Sequence, residues 1–154
     1  MHGRAVEIGA AGSMTSASGV TQAELGLRAG EFIAFHRTIL EAALEPSVLH
    51  VEGLNSLSVE GSITWVRELP CSPLNLFVAG AAGLRQEWIG GFQEARYPVG
   101  LGAGVLLLTS AAAGLRIEYR FRRVLHDPVA DFSEQRLLLG LSLFLRNRGA
   151  PSPP

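Results

Sequence analysis

The sequence predicts an all-β fold, a closed antiparallel eight-stranded barrel of up-and-down topology. Three observations carry this: strong period-two alternation, poor helical periodicity, and turn signals that recur between long extended segments. The clearest alternation is Leu115-Arg116-Ile117-Glu118-Tyr119-Arg120-Phe121-Arg122. On an extended chain Leu, Ile, Tyr and Phe share one face and the charges share the other, whereas a helix would mix them. The 18 glycines are scattered through the apolar stretches, where each would weaken a helix by about 1 kcal/mol.

Read this way, the chain divides into segments at 4–14, 20–31, 38–49, 57–68, 74–88, 96–109, 114–125 and 134–146. The breaks are turn chemistry: Ser16-Ala17-Ser18-Gly19, His36-Arg37, Glu52-Gly53-Leu54-Asn55, Pro70-Cys71-Ser72-Pro73, Gly90-Gly91, Ser110-Ala111-Ala112-Ala113 and Asp127-Pro128 through Ser133. Strands of roughly 10–14 residues exceed the usual soluble length of about 5–6. They reach the ~9–11 residues that a tilted strand needs to cross a bilayer. Residues 1–148 therefore read as one barrel domain, and 149–154, Gly-Ala-Pro-Ser-Pro-Pro, as a disordered tail.

Composition narrows the function. Of 154 residues, 18% are charged, below the ~25% of ordinary soluble domains. The net charge is −1, and all 13 basic residues are Arg, with no Lys. A disordered chain, a coiled coil and a nucleic-acid-binding module are excluded. The single Cys71 excludes an internal disulfide framework and a Cys-rich metal site. No apolar run approaches the ~18 residues of a transmembrane helix, and Met1-His2-Gly3-Arg4 lacks the apolar segment of an export signal.

The two faces of the strands differ sharply. One is apolar throughout, from Val6 and Ile8 through Leu25, Leu27, Leu44, Ile63, Val78 and Leu101 to Leu137, Leu139, Leu141, Leu143 and Leu145. The other carries Glu7, Glu24, Arg28, Glu41, Glu45, Glu60, Arg85, Arg116, Glu118, Arg120, Arg122 and Arg136 among Gly, Ala, Ser and Thr. Parity alone does not say which face is inside. A soluble lipocalin-like barrel binding an apolar ligand would turn the apolar face inward; a membrane barrel turns it to lipid. Three features favour the membrane. The polar face is too sparse in charge for a solvated surface. Aromatic residues gather toward strand ends at Phe35, Trp65, Trp88, Tyr97, Tyr119 and Phe121, like an interfacial girdle. The first four segments give five acids and one base and the last four give five bases and one acid, signs that neutralise across a closed lumen. Gly100, Gly102 and Gly104 then fall opposite Arg122, Arg120 and Glu118, leaving room for long side chains. A nucleotide-loop reading of these glycines fails because no helix follows.

Val99-Gly-Leu-Gly-Ala-Gly-Val105, Gly114-Leu-Arg-Ile-Glu-Tyr-Arg-Phe121 and Phe132-Ser-Glu-Gln-Arg-Leu-Leu-Leu-Gly-Leu-Ser-Leu-Phe144 together resemble the closing strands of small bacterial outer-membrane β-barrels of the OmpA/OmpX type. The resemblance extends in outline over the whole chain. It implies the bacterial outer membrane, contact with outer-membrane lipid, insertion by the barrel assembly machinery, and an export signal upstream. Both termini would be periplasmic, with loops near 15–20, 50–56, 89–95 and 126–133 outside the cell. The family usually ends on an outward aromatic of the last strand; here Phe144 has lumen parity and ten residues follow it.

Catalytic chemistry is not expected. His2, His36, His50 and His126 fall near connections, and although His50 neighbours Glu52 and Ser56, no spacing fixes a triad or a metal site. No cofactor is expected. The lumen charges are the best-supported constellation: a salt-bridge network plugging the barrel, or alternatively a narrow gated ion path. The expected function is an integral outer-membrane protein with a structural role or a surface-interaction role played by its external loops, whose partner the sequence does not name. The alternatives are the soluble ligand-binding barrel and a lipid-modifying outer-membrane enzyme.

Overall fold

The structure, a computed structural model, describes residues 4–17, 20–35, 38–51, 54–69, 72–125 and 132–146. Alternating side chains can satisfy both an apolar and a polar environment only as extended chain, and eight strands result. They are β1 (Arg4–Ala17), β2 (Val20–Phe35), β3 (Thr38–Val51), β4 (Leu54–Glu68), β5 (Leu74–Ile89), β6 (Phe92–Leu108), β7 (Ala113–Leu125) and β8 (Phe132–Arg146). Several run past their predicted limits: β2 continues from 31 to Phe35, and β6 starts at Phe92 rather than 96. Polar residues at these ends, such as Gln93 and Glu94, read as turn but are still laddered to Trp88 and Glu87. Residues 149–154, His2, His36, Cys71 and His126 lie outside the described residues.

Every neighbouring pair is antiparallel, and β1 pairs with β8, so no edge is left open. The register sets the tilt. Passing from partner to partner, Val6 leads to Glu31, Ala42, Ile63, Gly80, Leu101, Phe121 and Gln135, and returns to β1 at Ser16, ten residues beyond its start. A shift of that size over eight strands inclines them by about 40° and leaves an interior just wide enough for side chains. Pro46 and Pro98, which have no N–H to give, sit where the β2–β3 and β5–β6 pairings are interrupted.

The charges point inward and the leucines outward. Arg120 and Arg122 are 0% exposed, whereas Leu101 and Leu25 are 75% and 71% exposed. This excludes the soluble reading, which needs an apolar lumen. Because the partner line climbs ten residues over eight strands, each successive strand stands a little over one residue higher. With that correction, outward-facing Ser16, Thr21, His50, Gln86, Arg123 and Gln135 form one polar ring, and Glu31 and Arg67 mark the opposite border. The apolar belt between them is about 25 Å tall, the height of a bilayer core facing a barrel.

Trp65 sits near the Glu31 border, and Tyr97 and Trp88 sit at or beyond the polar ring. Tyr119, expected in the girdle, is instead near mid-belt, because the strand tilt lifts the β7 border to Arg123 and Leu125; Phe121, two residues below Arg123, stays about 5 Å beneath the polar ring. The side chain of Phe35 lies outside the described residues.

The connections on the His50 side are also shorter than expected. Residues 15–17, 20, 50–51, 54–56, 89 and 92–95 are strand, so consecutive strands there are joined by 18–19, 52–53, 90–91 and 126–131. Gly90 and Gly91 both have positive φ, 57° and 89°, the backbone of a tight two-residue hairpin that favours glycine at both positions.

Candidate functional site

All twelve charged residues singled out in the sequence project into the lumen and are buried. The alternation does this locally: each lies at the parity opposite to the outward Leu, Val or Ile on its strand. They form a continuous ladder of alternating sign. Near the terminal end, Arg28 Nε donates to Glu41 Oε1 at 2.9 Å and to Glu7 Oε2 at 3.2 Å, and its Nη1 meets Glu45. Arg116 donates to Glu41 Oε2 at 3.0 Å and to Glu118 Oε2 at 3.3 Å. Arg120 joins Glu118 at 2.7 Å, Glu45 at 3.1 Å and Glu60 at 2.9 Å. Glu60 also accepts from Arg122 and, at 3.1 Å, from Arg136, which in turn reaches Glu24 at 2.9 Å.

Four further charges, Glu134, Arg96, Glu87 and Glu94, extend the ladder toward the polar ring. Arg85 grips both oxygens of Glu134 at 2.7 and 3.1 Å, and Glu134 accepts from Arg122 at 2.7 Å. Arg96 meets Glu87 and Glu94, each at 3.1 Å. Sequence reasoning missed Glu87, Glu134 and Arg96 because they lie at the ends of their segments, and Glu94 because it falls in residues read as turn. Their signal was available: Glu87 shares the parity of Arg85, and Glu134 that of Arg136. Arginine suits every rung, since a planar fork can bridge two carboxylates at once whereas an ammonium presents a point charge.

The ladder rests on an apolar floor. Phe32, Val66, Phe77 and Leu106 pack inward at the end where β1 begins and β8 finishes, with Ala5, Ile39 and Phe144 against them. Phe32 and Phe144 meet edge to face, 5.6 Å between centroids. Phe144 thus keeps the lumen position its parity gave it. The Arg116 guanidinium lies over the Phe77 ring at 4.1 Å, joining ladder to floor. At the other mouth Val124 is fully buried and Arg96 lies over the Phe132 ring at 5.1 Å.

Space is made for these side chains by glycine. Gly100, Gly102 and Gly104 pair with Arg122, Arg120 and Glu118. A Cβ on Gly102 would stand 2.7 Å from Glu118 Oε1, and one on Gly100 would stand 2.8 Å from Arg122 Cγ. A cavity of about 30 Å³ lies beside Arg28, Glu45, Arg116, Glu118 and Arg136, room for one or two waters. Among the described residues no cluster could hold a metal, and exposed His50 bonds the side chain of Asn55 rather than a carboxylate.

A closed antiparallel barrel with hydrocarbon-like residues outside and ion pairs inside is the architecture of a transmembrane β-barrel, since in lipid the backbone must be satisfied within the structure and no edge can remain. The chain has the fold of small eight-stranded outer-membrane β-barrels. It is similar to the N-terminal β-barrel domain of Pseudomonas aeruginosa OprF, at 16% identity over 94% of this chain and 100% of that one, TM-score 0.66. It is similar to Neisserial surface protein A, at 15% identity over 91% and 96%, TM-score 0.65. The outer membrane enzyme PagL aligns at 15% identity over 87% and 97%, TM-score 0.63. No protein-family profile and no curated protein matches the sequence.

Proposed function

We infer that this chain is an integral outer-membrane protein whose barrel is a sealed, rigid structural element and neither a pore nor an enzyme. The observation that carries the reading is closure along the lumen: an apolar floor at one end, then arginine–glutamate pairs from Glu7 to Glu94 with a water-sized cavity among them. Ions crossing such an interior would have to displace paired charges that are dehydrated and mutually held, at a cost of several kcal/mol each. The expected partners are outer-membrane lipid and the machinery that inserts barrels. A surface-interaction role has less chain to work with than long loops would provide, because three of the four connections on the His50 side span only two residues. Such a role would fall to the β5–β6 hairpin, which rises above the polar ring with Phe92 77% exposed.

Incorporation of the purified protein into planar lipid bilayers tests the reading. The expected result is a folded barrel that needs detergent for solubility, migrates faster on gels unless boiled, and passes no stepwise current. Regular conductance steps from the folded form would overturn the sealed-barrel assignment; a chain folded in plain buffer would overturn the membrane assignment.

A further inference from the structure

We propose that the outer wall at Arg67 and Trp65 of β4 holds one glycerophospholipid, with its phosphate on the Arg67 guanidinium and its glycerol ester at the Trp65 indole. This rests on the membrane reading above and adds the chemistry of the lipid that the wall meets. The first observation is a charge. Among the residues whose side chains are described, two arginines face outward, Arg123 at the polar ring and Arg67 at the opposite border. Arg123 is already engaged in an interaction of its own. Arg67 is exposed, and no hydrogen bond, ion pair or ring contact reaches it among the described residues. Glu68, next along β4, has the opposite parity and does not pair with it.

The second observation lies one step deeper. Trp65 is two residues from Arg67 on the same outward face and 46% exposed. Its indole N–H donates to nothing among the described residues. Two residues along a strand tilted by about 40° place it about 5 Å nearer the middle of the belt. Leu40 and Val78, its partners on β3 and β5, are 40% and 49% exposed and give it an apolar wall on either side.

These groups stand in the order in which a glycerophospholipid presents its own. Its phosphate is outermost, its ester carbonyls lie beneath, and its acyl chains run to the middle of the bilayer. The planar fork of Arg67 can donate to two phosphate oxygens at once. The Trp65 N–H can donate to an ester carbonyl, at the depth where an amphipathic ring is most at home. Leu40, Val78 and, deeper on β4, Ile63 then face the acyl chains. Charge decides which lipid is held. A cation at headgroup depth with no acid of its own attracts an anion, and a diacylglycerol or an uncharged glycolipid brings none. Glu31, on β2, is the other described charge that faces outward at this border. It is already engaged and repels phosphate, so the lipid is held at β4 and not all round the rim.

Quenching of tryptophan fluorescence by brominated lipid tests the site. The chain has two tryptophans, so Trp88→Phe leaves Trp65 as the reporter. The barrel is folded into vesicles of digalactosyldiacylglycerol, which has no phosphate, containing a small share of brominated phosphatidylglycerol or of brominated diacylglycerol. Phosphatidylglycerol is expected to quench Trp65 beyond its share of the vesicle, and diacylglycerol only in proportion to it. Arg67→Gln should keep the heat-sensitive gel shift and lower that preference about fivefold, the worth of one arginine near charged headgroups. If it fails to fold, Arg67→Lys, which keeps the charge and loses the planar fork, should lower the preference about twofold. Arg123→Gln should leave it unchanged. In Trp65→Phe, where Trp88 reports from the other border, no preference is expected. A preference absent from the parent, retained in full by a folded Arg67 variant, or shared equally by Trp88 overturns the site. Relief of quenching by excess inorganic phosphate would reveal a free-anion site and overturn the lipid. A chain folded in plain buffer would instead overturn the membrane reading beneath it.

Discussion

Glu60 of β4 accepts a hydrogen bond at 2.9 Å from Arg120 of β7, which stands three strands away across the lumen. The same carboxylate accepts from Arg122 and Arg136. One acid therefore neutralises part of three buried guanidinium groups, and it can do so only in a tube narrow enough for opposite walls to touch.

Glu60→Gln removes that charge and keeps the shape. Arg120, Arg122 and Arg136 retain Glu45, Glu118, Glu134 and Glu24, but the centre of the lumen gains an uncompensated positive charge. The expected loss is about 3–5 kcal/mol, typical of breaking a buried pair from one side. Urea unfolding in micelles, followed by tryptophan fluorescence, reads it; a midpoint unchanged from the parent would mean water reaches the ladder freely.

Glu118→Arg tests the sign of the same region. Glu118 lies between Arg116 and Arg120, 3.3 and 2.7 Å away, so reversal places four cations in succession along the lumen face of β7, Arg122 being the next inward residue. The variant is expected to show no heat-sensitive gel shift under conditions in which the parent refolds completely.

Depth dependence tests the outer face. Leu139 faces outward on β8 near mid-belt, and Ser133 faces outward above the polar ring. Leu139→Arg should cost about 2–4 kcal/mol in refolding into liposomes and Ser133→Arg no more than about 1. Equal costs would contradict the position of the belt.

Three glycines separate crowding from backbone conformation. A Cβ on Gly104 would collide with the Phe77 ring of the apolar floor and with the Ile117 carbonyl oxygen, which cannot move without opening the β6–β7 pairing. Gly104→Ala should cost about 1–3 kcal/mol, the usual penalty for overpacking. Gly91 has nothing within 4 Å, yet its φ of 89° penalises any β-branched residue. Gly91→Val should destabilise by about 1–2 kcal/mol through the backbone alone, while Gly90→Asn, at φ 57°, should be nearly neutral. Chemical unfolding of the three variants side by side distinguishes the causes.

The faces, strand number and lumen charges were legible because alternation is a local signal: Arg116 through Arg122 declare their side of the sheet without reference to anything distant. Strand ends were less legible, since Gln93 and Glu94 resemble turn residues until their partners Trp88 and Glu87 are known. Heights were not legible at all. The place of Tyr119 in the belt depends on the ten-residue stagger accumulated around the closed sheet, which no single strand encodes. The same is true of Glu60 and its three arginines, whose meeting is a product of closure.

The division of sign along the chain has a consequence for how the molecule could be taken apart. Inside the lumen β1 to β4 contribute Glu7, Glu24, Glu41, Glu45 and Glu60 against Arg28, and β5 to β8 contribute an excess of arginine. Cut between Glu68 and Leu74, the polypeptide yields two four-stranded pieces of opposite polarity, each carrying what the other lacks. Neither can close alone, and the long-range attraction between them favours their reunion over self-pairing of like with like.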